Sequence, residues 1–80
     1  MEQEEIDALA KSPRYQDRFR AEYHQLKKRY ERLKEVLDQT DEERGFQLKS
    51  PRYMFQAQLS AMEKYLDVLR QRSYIEDINL

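Results

Sequence analysis

The sequence predicts an all-α protein: an antiparallel two-helix hairpin with a short N-terminal helix, assembled into a helical homo-oligomer. Three observations carry this. Apolar residues recur at alternating intervals of 3 and 4 through two long segments, with no Gly or Pro inside either. Two copies of Lys-Ser-Pro-Arg-Tyr, at Lys11–Tyr15 and Lys49–Tyr53, stand directly ahead of those segments. The chain has 80 residues, 39% charged and 39% apolar, and no Cys, so it is one domain at most, without a disulfide or thiolate metal site to staple it.

Residues 1–10 carry Ile6 and Leu9 on one side of an acidic stretch and are expected to form a short amphipathic helix docked on a neighbour. Residues 11–80 make the hairpin. Each Ser-Pro pair reads as a helix start, with Ser12 and Ser50 as N-caps and Pro13 and Pro51 in first helical positions, where the missing N–H costs nothing. A repeated binding loop is the alternative. The first long helix is expected over about 13–39, with the seam Phe19, Tyr23, Leu26, Tyr30, Leu33 and Leu37; its length is about 40 Å. Ion pairs at i, i+4 are expected on its outer faces, at Arg18–Glu22, Lys27–Glu31 and Lys34–Asp38.

The connection covers residues 40–50. Thr40 and Glu43 have capping-box spacing, giving an extra turn that Gly45 ends in the left-handed region. Phe46 and Leu48 are expected to fold back over the hairpin end. The second long helix is expected over about 51–74, with the seam Phe55, Leu59, Met62, Leu66 and Leu69, followed by a short tail. Its length, about 36 Å, matches the first, and the short connection makes the pair antiparallel.

A second apolar stripe, Met54, Ala61, Val68 and Ile75, repeats every seven residues of the second helix. It lies about 100° round from the seam, more than one partner helix can cover. Either the N-terminal segment lies on it or it is an interface between copies. A chain this small needs more burial than one seam supplies, and neither disulfides nor a metal cluster is on offer, so self-association is expected.

One His, no Cys and no dry pocket argue against acid–base, nucleophilic or metal chemistry, so no enzyme, no metal and no cofactor are expected. His24 reads as a lone residue on an exposed face. No apolar run approaches membrane-spanning length, and the acidic start Met1-Glu-Gln-Glu-Glu lacks a signal-peptide core, so the expected location is cytoplasmic.

Charge is segregated. Residues 11–34 hold nine bases against three acids, a local excess of +6 in a chain of net charge −1. Such a helix attracts nucleic acid, nucleotide phosphates or the acidic segments of a sister chain, unless it is simply a solvated face. Tyr15 and Tyr53 sit in the first turn of their helices beside Arg14 and Arg52. A helix start offers free N–H groups to phosphate, and a ring there can stack a base or pack over its own cap. Gln58 and Arg72 flank Tyr65 at spacings of seven, on an edge suited to a ligand or a neighbouring subunit.

From Gln58 to Arg72 the chain reads Gln-Leu-Ser-Ala-Met-Glu-Lys-Tyr-Leu-Asp-Val-Leu-Arg-Gln-Arg. This resembles the pattern Gln-Leu-x-Ala-Met-x-x-Tyr-Leu-x-x-Leu-x-x-Arg in the second helix of small bacteriophage helical-hairpin proteins. The first helix, with Tyr15-Gln16, Arg18, Glu22-Tyr23, Leu26, Arg29 and Leu33, is similar to theirs, and the likeness covers about residues 13–76. Relatives of those proteins are the anti-CBASS and anti-Thoeris sponges, which bind cyclic oligonucleotide or cyclic ADP-ribose signals and so blunt bacterial immunity to phage. The resemblance implies immune evasion in the host-cell cytoplasm by a homo-oligomer that holds a cyclic di- or trinucleotide or cyclic ADP-ribose type ligand between subunits, uncleaved. Tyr15, Arg18, Gln58, Tyr65 and Arg72 are the candidate ligand-binding residues, with Tyr15 stacking a base and Arg18 and Arg72 on phosphate. Met54, Ala61, Val68 and Ile75 are the candidate oligomer interface. The rival classes are a structural or adaptor protein that binds a host or phage protein through helix two, and a nucleic-acid-binding helical protein.

Overall fold

The computed structural model describes residues 1–80. Four helices form and no strand: α1 Gln3–Ala10, α2 Tyr15–Asp38, α3 Asp41–Arg44 and α4 Arg52–Ile75. No helix is long and apolar enough to cross a membrane.

The Ser-Pro pairs open the long helices differently from the expected caps. Arg14 is the N-cap of α2, and no side chain caps it. Ser12 instead accepts the Arg14 N–H at 3.1 Å and donates to Asp17 Oδ2 at 2.8 Å. Proline holds the residue before it extended, so Ser12 turns the chain two residues on rather than starting the helix. At α4, Pro51 is itself the N-cap, with ψ 151°, and the helix starts at Arg52 without a side-chain cap. Ser50 has no capping role there.

The connection holds the expected capped turn. Thr40 Oγ1 accepts the Glu43 N–H, Glu43 Oε1 accepts the Thr40 N–H, both at 3.2 Å, and Gly45 closes α3 at φ 83°. Phe46 does not fold back: it is 55% exposed and lies against the Arg44 guanidinium at 5.7 Å. Arg44 has the structural role here. Its side chain is 3% exposed and donates to the Val36 and Gln39 carbonyls at 3.0 and 2.6 Å. Arg52 donates to the Leu37 carbonyl at 2.6 Å. The last turn of α2 has no base of its own, so these two arginines satisfy carbonyls that the helix leaves open and meet the negative end of its dipole.

The C-terminal residues close the other end. Asp77 takes φ 56°, an αL conformation that Asp tolerates better than most residues. The Ile78 N–H then donates to the Ser73 carbonyl at 2.8 Å and the Asp77 N–H to the Tyr74 carbonyl at 3.4 Å, the paired bonds of a Schellman motif. This drops Ile78 into the core with Phe19, Tyr23, Leu66 and Leu69, with Leu26 and Tyr30 packed alongside. Arg20 holds the following backbone through the Asn79 carbonyl at 2.5 Å.

Contacts between α2 and α4 run in opposite order along the two helices. Tyr15 meets Arg72 and Glu76, Tyr23 meets Arg70, and Leu37 meets Arg52. α1 lies on α2, where Ile6 and Ala21 are buried. The α4 stripe is therefore not covered by the N-terminal segment: Met54 is 51% exposed, Val68 51% and Ile75 78%, and Ala61 is exposed as well. Eight residues of 80 are buried, and the radius of gyration is 15.0 Å, against about 12 Å for a compact domain of this length.

The ion pairs also differ from expectation. Arg20–Asp17, Arg32–Glu35, Arg44–Asp41 and Arg70–Asp67 pair at i, i+3 and Arg72–Glu76 at i, i+4. The anticipated partners are taken elsewhere. Arg18 turns to the Ser12 carbonyl, Glu22 accepts from Tyr65, and Lys34 lies over the Tyr30 ring.

Candidate functional site

Helical spacing puts Tyr15, Arg18, Glu22, Gln25, Arg29 and Arg32 on one side of α2. Gln58, Tyr65, Arg72 and Glu76 make the matching row on α4. The rows face one another along the helix pair, and the five candidate ligand residues lie on this lane.

At one end Tyr15, Arg72 and Glu76 form a closed cluster. The Tyr15 hydroxyl donates to Glu76 Oε1 at 2.5 Å, Arg72 Nε donates to Glu76 Oε2 at 2.9 Å, and Arg72 Nη2 donates to the Tyr15 oxygen at 2.7 Å. Phe19 supports it, with the Arg72 guanidinium 5.0 Å from its ring and the Tyr15 ring tilted against it at 6.2 Å. Tyr15 remains 45% exposed. The hydrogen bonds from Tyr15 and then Arg72 hold the Glu76 carboxyl below its ordinary range. The same bond to Glu76, with desolvation next, raises the Tyr15 hydroxyl. At neutral pH the cluster is thus a neutral phenol and a guanidinium on an ionised carboxylate.

Arg18 stands one turn along α2, donating to the Ser12 carbonyl at 3.0 Å beside the shallow depression between α1 and α2. Tyr65 donates its hydroxyl to the Glu22 carboxylate. Gln58 is further on, at the wall of an open groove of about 890 Å³ floored by Leu26, Leu33, Val36 and Met62 and edged by Lys28, Arg29 and Arg32. Gln3 closes that groove on the α1 side through a 2.6 Å bond to Gln25. The structure brings Tyr15 and Arg72 together and leaves Gln58 about 21 Å along the helix axis from Arg72.

Sequence reasoning passed over Glu76, which completes the cluster, and paired Glu22 with Arg18, whereas Glu22 holds Tyr65. Glu76 sits four residues after Arg72, a spacing that signals a helical ion pair, but in the sequence it reads as tail. His24 is also not the exposed residue expected. Nε2 is buried without a hydrogen-bond partner, and the ring stands edge-on to Tyr23 at 5.1 Å. Burial, followed by the charges of the Met1 amino group and Lys27, lowers its pKa from the ordinary 6.5.

A protein-family model described as Sequestin matches residues 13–75, from the proline ahead of α2 to the last residue of α4. The chain belongs to the Sequestin family. No curated protein and no solved structure matches it. The Sequestin name denotes binding and holding rather than turnover. The Sequestin segment contains all five candidate ligand residues and the whole α4 stripe, whereas α1, Glu76 and Ile78 lie outside it.

Proposed function

We propose that this Sequestin-family chain is a phage-type sponge that binds a cyclic nucleotide immune signal and sequesters it without cleavage. In this reading the antiparallel hairpin assembles into a cytoplasmic helical homo-oligomer through Met54, Ala61, Val68 and Ile75. Tyr15 stacks a nucleobase, Arg18 and Arg72 contact phosphate, and Tyr65 and Gln58 extend the site along the lane. The observation that carries the proposal is the family match across both long helices, residues 13–75. The exposed Tyr15–Arg72 corner and the uncovered stripe support it, because a chain with eight buried residues cannot enclose a nucleotide by itself.

The test is a thermal-shift and calorimetric screen against cyclic di- and trinucleotides and cyclic ADP-ribose isomers. A ligand at 100 times its dissociation constant adds about 2.7 kcal/mol to the folded state. Tyr15→Ala is expected to weaken binding by roughly tenfold, since an aromatic stack is worth about 1–3 kcal/mol per base. Assembly is tested by Val68→Glu, which puts an unpaired carboxylate into the interface; light scattering should then show a smaller particle than wild type. A monomeric, well-folded wild type at micromolar concentration overturns the assembly reading. A flat ligand screen overturns the sponge reading.

The exposed stripe also favours a second reading, an adaptor whose α4 face binds a host or phage protein. A flat screen together with a protein partner whose capture Val68→Glu abolishes selects it. Nucleic-acid binding by the basic α2 predicts steep loss of affinity with salt, whereas a cyclic dinucleotide, with two phosphates, predicts a shallow one.

A further inference from the structure

The Tyr15–Arg72 corner is built like an anion seat. A phenol and a guanidinium converge from two helices, and each donates to a different oxygen of one anion, at 2.5 and 2.9 Å. A guanidinium with a second donor beside it suits the oxygens of a phosphate equally well. Phe19 beneath both donors fixes their spacing. The anion in the seat is the chain's own. Glu76 is the C-cap residue of α4, and the backbone just beyond it is fixed by the left-handed Asp77 and buried Ile78. Its side chain is 31% exposed, so solvent reaches the seat. The seat belongs to the Sequestin segment, but the carboxylate that fills it comes from one residue past its end.

We propose that Glu76 is a built-in competitor of the ligand: its carboxylate occupies the Tyr15–Arg72 seat, and a ligand phosphate enters only by displacing it. This rests on the reading of Tyr15 and Arg72 as ligand residues. Glu76 then sets the affinity threshold and the ligand class. Neutral nucleosides offer nothing to exchange for the carboxylate. Phosphodiesters and phosphates replace one charge-assisted pair of bonds with another. Ionisation of Glu76 at neutral pH, held by the same donors, keeps the competitor in place.

The experiment compares wild type, Glu76→Gln and Glu63→Gln, which removes the same charge from an exposed site elsewhere on α4. Inorganic pyrophosphate is the probe, read by NMR at the Arg72 side-chain N–H. Hydrogen bonds to an ionised acceptor are about twice as strong as neutral ones, so Glu76→Gln should bind pyrophosphate about tenfold more tightly than wild type. Glu63→Gln should match wild type. Equal or weaker binding by Glu76→Gln at the Arg72 signal overturns the proposal, as does an equal gain in Glu63→Gln, which would mean a general charge effect. The cyclic nucleotide panel, run on the same proteins, separates this from the sponge reading. Gain for pyrophosphate with a flat panel keeps the competitor and rejects the sponge. Panel binding by wild type that Glu76→Gln leaves unchanged or weakens keeps the sponge and rejects the competitor.

Discussion

The two ends of the α2–α4 pair share one heptad seam and differ in how it is covered. Near the termini, Leu66 is 1% exposed and Leu69 0%, packed with Phe19, Tyr23 and Ile78. Toward the connection, the same seam continues through Leu33, Phe55 and Leu59, all half-buried, beside an open groove floored by Leu26 and Met62, and closes again only at Leu37, 5% exposed. The residue types are alike, so the difference lies in a third body. A seam between two helices is roofed on its inner side only. At the terminal end, Ile78 folds over it. At the connection end, Phe46 is 55% exposed against Arg44 and Leu48 is half-buried, and of the seam there only Leu37 is closed. Burial of a run of seam residues, rather than of one, goes with a third element packed over the seam.

The comparison can be broken most directly by truncating equal residues at the two ends. Leu69→Ala should cost about 3–4 kcal/mol and Leu59→Ala about 1 kcal/mol, following the dependence of truncation cost on burial and cavity size. Urea unfolding at low micromolar concentration measures both. Equal costs would mean that the connection end is covered in solution, and a Leu59→Ala cost that grows with protein concentration would place a second copy there.

Next in size is Ile78→Ala. Removing the roof while leaving Leu66 and Leu69 in place should cost about 2 kcal/mol. It should also raise hydrogen exchange of the last turn of α4 toward that of its first turn. A loss below about 0.5 kcal/mol, the range of an ordinary surface substitution, would show that the tail does not decide the asymmetry.

The smallest effect is a pH dependence from His24, which is half-buried with its Nε2 out of solvent and unpartnered. Its folded pKa lies below the ordinary 6.5 because of burial and the nearby Met1 amino group and Lys27. Between that ordinary value and the lower folded one, the unfolded chain holds the proton and the folded chain does not. Stability from neutral His24 is therefore full above pH 6.5 and is lost as pH falls through the folded value. The Glu76 carboxyl contributes in a separate, more acidic window, below its ordinary 4.5. Urea midpoints should drop between pH 7.5 and 5.5, and His24→Gln should flatten that drop. An identical slope in the variant would assign it elsewhere.

The elements were legible because they depend on local rules. The heptad steps from Phe19 to Leu37 and from Phe55 to Leu69 specify helix by periodicity alone, and Thr40, Glu43 and Gly45 specify a capped turn within six residues. The Ser-Pro starts were misread by a residue or two because proline biases the residue before it, and Ser12 had two backbone and side-chain partners to choose between. The candidate lane was legible in part. Tyr15 and Arg72 stood out by type, but that they touch each other and Glu76 depends on how far α2 slides along α4.

By itself the sequence determined that the chain is helical, where its helices run, which faces are apolar, and that one basic helix carries tyrosine and arginine at its start. The tertiary structure decided which stretch of the seam closes, that Arg44 and Arg52 cap α2, that His24 is sheltered, and that the Tyr15–Arg72 corner holds the chain's own carboxylate. The division follows from range. Periodicity and capping act over one or two turns and are written in neighbouring residues, whereas Tyr15 and Glu76 meet across 61 positions, a contact set by the register of two helices and a left-handed Asp77.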